Sequence, residues 1–322
     1  MVFTKLKRIA DNPYRIFSAL AAHGCFHWLP DALYLKWMFR SQVGKWPDLD
    51  NPRTFNEKCQ WLKLHDRKPE YTRMVDKYQV RQFVAQTIGE NHLIPLLGVW
   101  ETPEDIDFNA LPEQFVLKCN HNSGLGMCIC RDKAKLDIPK TKRQLRKGLQ
   151  QNYYLPGREW PYQDVPRRIM GEQYIQDAQG DLKDYKFMCF DGIVRCSCVC
   201  SDRSSGKGLH VTFFDRNWNR MPFERHYPAS SEDFPKPARY EEMITLAETL
   251  SKGLPFVRVD LYEIDGKVYF GELTFFPGSG FSKFTPEEWD HTLGTWLHVP
   301  KEESLENSIF SAHSPVTPGR KG

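Results

Sequence analysis

The sequence lacks a long hydrophobic run. No stretch approaches the roughly 18 uncharged apolar residues that a membrane-spanning helix requires. After Met1 the chain reads Val-Phe-Thr-Lys-Leu-Lys-Arg with no continuous apolar region behind it, so we expect no secretory signal and a cytoplasmic protein. Residues 16–39 are apolar and aromatic but contain interrupting polar residues and a proline, which predicts a packed pair of helices. Peripheral contact of this segment with a membrane is the alternative.

A large charge excess is also absent. The net charge is +3, from 44 basic and 41 acidic residues, which gives no reason to expect a nucleic-acid partner. No Ser/His/Asp or Cys/His catalytic constellation is recognisable, and the phosphate-loop order Gly-x4-Gly-Lys-Ser/Thr does not occur. With 322 residues, 40% hydrophobic and 26% charged, the chain is long enough for two or three lobes.

The cysteines do not have the spacing of a metal site. Of the nine, Cys128 and Cys130 form one alternating set, and Cys196, Cys198 and Cys200 form another. Alternation at this period places each set on one face of a strand. Structural zinc usually takes Cys-x2–4-Cys pairs, so we expect neither zinc nor disulfides.

Two carboxylates lie in a predicted β-hairpin near the end of the sequence. Asp260 and Glu272 belong to apolar runs joined by Asp265-Gly266, a dipeptide typical of hairpin turns. A favourable register would place both carboxylates on one face, where they need a counter-charge to stay ionised. Oxygen ligands of this kind suit Mg²⁺, although a surface hairpin with scattered acids is the alternative.

A second predicted hairpin contains a lysine followed by a glycine loop. Lys118 ends the apolar run 115–117, and Cys130 ends the run that follows the loop. Small residues and glycines let backbone N–H groups approach an anion closely, and the lysine adds an ammonium for a phosphate. The alternative is a plain hairpin with a solvated loop.

A third segment supplies further polar residues on strands. Glu172 lies at the end of one apolar run, and Asp184 and Lys186 alternate with apolar residues on the next. Carboxylates at such positions can bind an adenine amino group or ribose hydroxyls, although each could equally be an exposed strand charge. Between the glycine loop and Glu172, Thr141 is predicted to cap a basic helix, whose charges are more typical of a solvated face than of a binding site. Arg203 and Lys207 lie in a polar loop that could close over an anion or could equally be a disordered surface loop.

In their order, these segments resemble the ATP-grasp superfamily and, more narrowly, its TupA-like branch of surface-polysaccharide biosynthesis. The resemblance is carried by residues 115–124 (Phe-Val-Leu-Lys-Cys-Asn-His-Asn-Ser-Gly), 184–192 (Asp-Tyr-Lys-Phe-Met-Cys-Phe-Asp-Gly) and 271–280 (Gly-Glu-Leu-Thr-Phe-Phe-Pro-Gly-Ser-Gly). It extends from about residue 51 to about residue 296.

This resemblance implies an α+β ATP-grasp fold in which two sheet-bearing lobes clamp ATP. The implied division is an N-terminal helical and small α/β lobe (1–112), a first ATP-grasp subdomain (113–165), a second with the metal site (166–299), and a disordered tail (300–322).

The resemblance also assigns roles to single residues. Arg258 and Lys186 would act on the transferring phosphoryl group, and Asp260, Glu272 and, more weakly, Thr274 would bind Mg²⁺. Thr274 replaces the asparagine that many ATP-grasp enzymes have there. The implied ATP-binding residues are Lys118, Asn120, His121, Ser123, Gly124, Gly126, Glu172, Ile175, Asp184 and Lys186.

The reaction implied by the resemblance is an ATP-dependent, ADP-forming ligation of a carboxylate to an amine through an acyl phosphate. The expected substrates are a uronic acid of a bacterial surface polysaccharide and an amine such as an amino acid, with peripheral contact to a membrane-bound glycan assembly. Three alternatives stay open: a sugar kinase with the same ATP clamp, a glycosyltransferase using Asp48-Leu-Asp50 or Asp105-Ile-Asp107, and a non-catalytic ATP-binding module.

Overall fold

The structure, a computed structural model, describes residues 12–176, 183–201 and 208–300. Arg203 and Lys207 of the polar loop, and the predicted tail 300–322 except Pro300, lie outside the described residues. Within these ranges no helix has the length and apolar character needed to cross a membrane.

The helices of the described residues flank two main sheets. They are α1 (Arg15–Ala22), α2 (Asp31–Val43), α3 (Phe55–His65), α4 (Glu70–Val75), α5 (Val80–Thr87), α6 (Ile138–Gln150), α7 (Tyr154–Gly157), α8 (Tyr240–Ser251) and α9 (Glu288–Trp296).

The first sheet has four strands in the order β1-β4-β2-β3, all antiparallel neighbours. They are β1 (Leu96–Trp100), β2 (Phe115–Cys119), β3 (Cys128–Cys130) and β4 (Ile169–Gln173). The predicted domain boundaries after residues 112 and 165 therefore fall between strands of one sheet. The division of the chain into domains stays a prediction.

The second sheet has five strands in the order β10-β9-β5-β6-β7. They are β5 (Asp184–Phe190), β6 (Ile193–Ser201), β7 (His210–Asp215), β9 (Phe256–Ile264) and β10 (Lys267–Thr274). A short pair, β8 (Glu224–Arg225) and β11 (Phe284–Thr285), lies outside these two sheets. All seven residues of β5 are buried. The helix α8 contacts β5, and Asp184, Lys186 and Met188 line a cavity.

Local sequence signals account for several element ends. Thr54 and Glu57 form a capping box, so α3 begins at Phe55. The predicted Asp265-Gly266 turn closes the β9–β10 hairpin, with both residues at positive φ. The prediction that Thr141 caps the basic helix was wrong: α6 begins one turn earlier, where the Asp137 carboxylate accepts from the Lys140 N–H.

The core consists of one large and two small apolar clusters. The large cluster joins α3, α4 and α8 to the second sheet, and a separate cluster lies between the first sheet and α6. A third, small cluster lies in the α1–α2 hairpin, the helical pair predicted for residues 16–39. This division leaves a cavity where the two sheets face each other.

Candidate active site

A cavity of about 850 Å³ lies between the two sheets and brings most of the predicted site residues together. The first sheet contributes Lys118 and the glycine loop, and the second contributes the β5 and β9–β10 side chains. A loop after β10, Pro277–Gly280, completes one wall with Phe281 and Ser282. The predicted site residues that line the cavity are Lys118, Ser123, Gly124, Asp184, Lys186, Arg258, Asp260 and Glu272.

The β9–β10 hairpin places its two carboxylates side by side. Glu272 pairs directly across the strands with Asp260, because a register shift at Gly271 moves Glu272 opposite it. The Arg258 guanidinium holds the group together: Nη2 donates to Asp260 Oδ2 (2.7 Å), Glu272 Oε1 (3.1 Å) and Thr274 Oγ1 (3.0 Å). The required counter-charge is thus present.

Lys186 adds a second cation from the neighbouring strand. In the β5–β9 register Lys186 lies opposite Asp260, and its ammonium forms an ion pair with that carboxylate. The same ammonium lies 2.7 Å from Asp184 Oδ2, two residues earlier on β5. Burial opposes the charge on Lys186, but Asp260 and Asp184 outweigh it and raise the pKa of the ammonium. Lys186 therefore stays protonated in the cavity.

The two carboxylates differ in their titration. Burial opposes ionisation of Glu272, yet the cations Lys77 and Arg258, with Lys186 behind them, lower its pKa to about 2. Burial raises the pKa of Asp260, although Arg258 and Lys186 in contact oppose the shift. Glu272 is thus held in its anionic form, whereas the ionisation of Asp260 depends on Arg258 and Lys186.

The donor set fits a magnesium ion that arrives with a nucleotide. Within the described ranges, no three His, Cys, Asp or Glu side chains form a complete metal cage. Asp260 and Glu272 with the Thr274 hydroxyl offer hard oxygen ligands at one place, and Mg²⁺ commonly takes one or two carboxylates and completes its shell with phosphates and water. These three residues would hold the ion.

On the first sheet, Lys118 forms an ion pair with Glu172. The Lys118 ammonium lies 2.5 Å from Glu172 Oε2, and Arg81 Nη1 lies 3.2 Å from Glu172 Oε1. Glu172 is buried on β4 and does not line the cavity, whereas the half-buried Ile175 lies just beyond the end of β4. The Glu172 carboxylate therefore forms ion pairs with two protein cations, Lys118 and Arg81.

The glycine loop is anchored by two of its predicted ligands. The Asn120 side chain is fully buried, donating to Asp76 Oδ1 and Pro166 O (both 2.8 Å) and accepting from the Arg168 N–H (2.7 Å). The His121 ring is directed to Gln151 O (3.1 Å), and burial lowers its pKa. Both side chains therefore anchor the glycine loop through contacts outside the cavity, so that its backbone N–H groups are the part available to a ligand.

The loop touches α6 through two glycines. Gly126 has φ +76°, and a Cβ there would lie 2.8 Å from Gly148 Cα. A Cβ on Gly148 would in turn lie 2.7 Å from Cys119 Sγ. Gly124 also has positive φ, but open space surrounds its Cβ position. Gly126 therefore positions the loop, and Gly124 keeps its tip small.

Lys77, which no sequence motif indicated, lies between the two sheets. Its ammonium donates to Asn122 O (2.8 Å) in the glycine loop and lies 3.4 Å from Glu272 Oε2 in the hairpin. Lys77 sits just before α5, and no spacing in the sequence connects it to either motif. Its neighbour Asp76, which accepts from Asn120, gives the only local signal, an Asp-Lys pair ahead of a helix.

A buried polar wall from α3 supports the cavity loop. Gln60 Nε2 donates to Ser279 O (3.1 Å) and Gly280 O (2.8 Å), and Lys63 Nζ donates to Ser279 O (2.7 Å). Ser279 has φ +53°, a strained value for a residue with a side chain. These contacts hold the loop in that conformation.

The sequence model of one family, described as TupA-like ATPgrasp, matches residues 57–298. The match covers both sheets and every predicted site residue. The chain belongs to the TupA-like ATP-grasp family. The predicted family and α+β fold class are therefore confirmed, and ATP and Mg²⁺ are the cofactors of ATP-grasp enzymes, as predicted. Curated proteins give no match.

Solved structures give distant resemblances. The D-alanine–D-alanine ligase from Bacillus anthracis complexed with ATP is 17% identical, with a TM-score of 0.37 over 63% of this chain and 53% of that one. The ATP-grasp ligase PsnB complexed with minimal precursor is 11% identical, with a TM-score of 0.36 over 64% and 53%. The ADP complex of purK, N5-carboxyaminoimidazole ribonucleotide synthetase, is 14% identical, with a TM-score of 0.40 over 68% and 50%. The chain thus spans about half the length of these ligases, and the likeness carries no argument about substrate.

Proposed function

We propose that this TupA-like ATP-grasp protein is an ADP-forming ligase that joins a carboxylate to an amine through an acyl phosphate. The observation that supports the proposal is the cluster of Arg258, Lys186, Asp260 and Glu272 on one wall of a cavity whose opposite wall carries Lys118. Cations from two sheets facing a pair of hard carboxylates suit a nucleotide triphosphate in transfer. The enzyme works where ATP is available, which favours the cytoplasm.

In the proposed reaction, a carboxylate oxygen of the acceptor attacks the γ-phosphorus of ATP, and the bond to the β–γ bridging oxygen breaks to release ADP. The amine nitrogen then attacks the acyl carbon, phosphate leaves, and the nitrogen loses a proton. Mg²⁺ held by Asp260, Glu272 and Thr274 would neutralise phosphate charge when bound.

The protein side chains have the remaining roles in this proposal. Lys118 and Lys186 bind phosphate oxygens, the backbone of residues 120–126 encloses them, and Arg258 stabilises charge on the transferring group. Glu172 and Ile175 meet the adenine and Asp184 the ribose, which requires Lys118 to exchange its Glu172 partner for phosphate. Asn120 and His121 contribute through the loop they anchor.

For the substrates, we propose a uronic acid of a bacterial surface polysaccharide and an amine such as an amino acid. In this proposal the acceptor lies beside the loop Pro277–Gly280 and Ser282, which line the same cavity as the phosphate-binding side chains. Peripheral contact with a membrane-bound glycan assembly belongs to the same proposal.

Trapping with hydroxylamine tests the reaction. Incubated with ATP, Mg²⁺ and a panel of uronic acids, the protein should release ADP and phosphate and give a hydroxamate without the natural amine. A stable sugar phosphate with no hydroxamate would favour the kinase, and AMP release would exclude both reactions. The Glu272→Gln variant serves as the inactive control.

A further inference from the structure

The N-terminal helical hairpin carries an unusual share of exposed apolar side chains. Six of the thirteen exposed large hydrophobic residues in the described ranges fall within residues 16–46, and Trp28, 77% exposed, is the most exposed of all. We name these six the aromatic face: Ile16, Leu20, Trp28, Leu33, Trp37 and Trp46.

Ring packing fixes part of the aromatic face in place. Trp37 lies 5.3 Å from Trp46 and 5.9 Å from Tyr14 between ring centroids, and 5.8 Å from Phe17. On α1, Ile16 and Leu20 are one turn apart and both exposed, whereas Ala21 is buried. The ring contacts therefore fix Trp37 and Trp46 against α1 and the residue that precedes it, Tyr14.

Charge is concentrated in the same part of the sequence. Residues 1–46 contain seven Lys or Arg and two Asp, a net charge of +5, whereas the other 276 residues contain 37 basic and 39 acidic ones, a net charge of −2. The small charge of the whole chain thus conceals a cationic N-terminal part. Of the basic residues, Lys5, Lys7 and Arg8 lie outside the described residues. Arg15, Lys36, Arg40 and Lys45 belong to the described hairpin, where Lys45 forms an ion pair with Glu287.

The hairpin is also a wall of the active-site cavity. Ser18 and Ala22 on α1, and Tyr34, Met38 and Gln42 on α2, line it. At 100° per residue, Ile16 and Leu20 lie on the side of α1 opposite Ser18 and Ala22. One helix therefore separates the cavity from the exposed apolar stripe.

We propose that the aromatic face is a docking surface for the interface of an anionic phospholipid bilayer. Tryptophan and tyrosine favour the headgroup level, aliphatic side chains enter the acyl boundary, and nearby Lys and Arg attract anionic lipids. The charge excess distinguishes this occupant from a second copy of the chain, which would bring the same positive charge to the contact. Docking would bring the cavity close to membrane-attached acceptors, but it does not depend on the reaction.

Vesicle sedimentation tests this surface with the full chain. The wild type should bind vesicles with about 30 mol% phosphatidylglycerol better than pure phosphatidylcholine, and added salt should weaken the binding. Leu20→Ser with Trp28→Ser should lower the partition coefficient about tenfold, and Arg15→Gln with Lys36→Gln about thirtyfold at low salt.

Matched controls lie elsewhere on the molecule. Ile129→Ser, 50% exposed on β3, matches the apolar change, and two exposed basic residues of α6 match the charge change as Lys140→Gln with Arg143→Gln. Affinity for an ATP analogue should stay unchanged in all of these variants. Absence of vesicle binding, or equal losses in the controls, overturns the proposal. So does a dimer in light scattering that Trp28→Ser dissociates, since the face would then join two copies.

Discussion

The Lys77 ammonium lies 3.4 Å from Glu272 Oε2. Among the neighbouring cations, Lys77 lowers the pKa of Glu272 the most. Through Asn122 O the same ammonium holds the glycine loop. One side chain thus joins the proposed phosphate loop to the proposed metal hairpin across the cavity. A triphosphate bound in the cavity would lie beside this ammonium.

Replacement of Lys77 by glutamine should therefore weaken binding of an ATP analogue with Mg²⁺ at least about tenfold, because a phosphate-facing cation and a loop anchor are both lost. Calorimetric titration measures the affinity. Lys68→Gln, which removes an ion pair with Asp66 3.5 Å away and outside the cavity, is the control and should bind normally.

The Lys77–Glu272 pair also predicts a pH dependence. The pKa of Glu272 in the folded protein, about 2, lies below its ordinary value of 4.5. Its contribution to stability is therefore complete above pH 4.5 and is lost as the pH falls toward 2. The difference in unfolding free energy between wild type and Lys77→Gln, about 1 kcal/mol at pH 7, should shrink as the pH falls below about 3 toward the folded pKa of Glu272, because the pKa of the unfolded chain is common to both proteins. A constant difference in urea unfolding would contradict the assignment.

Lys118→Met should reduce nucleotide affinity with little effect on folding, because Arg81 continues to neutralise Glu172. Lys186→Met should reduce affinity and also destabilise the protein by about 3 kcal/mol, since it leaves Asp184 and Asp260 buried beside each other. Calorimetry and chemical unfolding separate the two effects. Lys133→Met is the control, because the Lys133 ammonium donates to Asn109 O and Leu111 O away from the cavity.

Asp260→Asn and Glu272→Gln should both abolish the rise in melting temperature that Mg²⁺ with an ATP analogue gives the wild type. Asp260→Asn should in addition lower the stability of the free protein by about 3 kcal/mol, because Arg258 and Lys186 lose their common partner. Glu248→Gln, which disrupts a pair with Arg216 on the outer surface, should keep the full nucleotide effect. Retention of that effect by both site variants would remove the hairpin from the metal site.

Motifs of short range could be predicted from the sequence. The Asp265-Gly266 turn fixes a hairpin because both residues adopt positive φ, and the capping box fixes the start of α3. Once the hairpin exists, apolar alternation places Asp260 and Glu272 on adjacent strands. Their direct pairing depends on the register shift at Gly271, which no local pattern indicates.

Contacts between distant segments could not be predicted in this way. Lys77 reaches Glu272 across 195 residues, and Arg81 reaches Glu172 across 91, because two separate sheets face each other. Asn120 and His121 have the composition of loop ligands, yet their side chains are directed to Asp76 and Gln151. Only the fold determines on which side of the loop a polar side chain lies.

Lys63 is a fully buried lysine behind the cavity. Its ammonium donates to Gln60 Oε1 (3.0 Å), Gly157 O (2.7 Å) and Ser279 O (2.7 Å). Burial lowers its pKa to about 8, although Glu159 opposes the shift. Since the Ser279 carbonyl belongs to the strained loop, we expect Lys63 to position that loop for the acceptor.

Lys63→Met should destabilise the protein by about 3 kcal/mol, because buried acceptors lose their donor. It should raise the KM for the acceptor about tenfold while affinity for an ATP analogue stays within about twofold, because the loop contacts lie away from Lys118 and Lys186. Lys58→Met removes bonds from the same helix to Gly294 O and Leu297 O and should leave the KM unchanged.

Titration provides a second readout for Lys63. Its folded pKa of about 8 lies below the ordinary 10.5, so the unfolded chain binds more protons between these values and wild-type stability gains from this group as the pH rises from 8 to 10.5. Lys63→Met lacks that gain, so its stability deficit relative to the wild type should widen over this range. If the deficit stays constant and both substrates bind more weakly to the same degree, Lys63 supports the fold in general and does not position the loop.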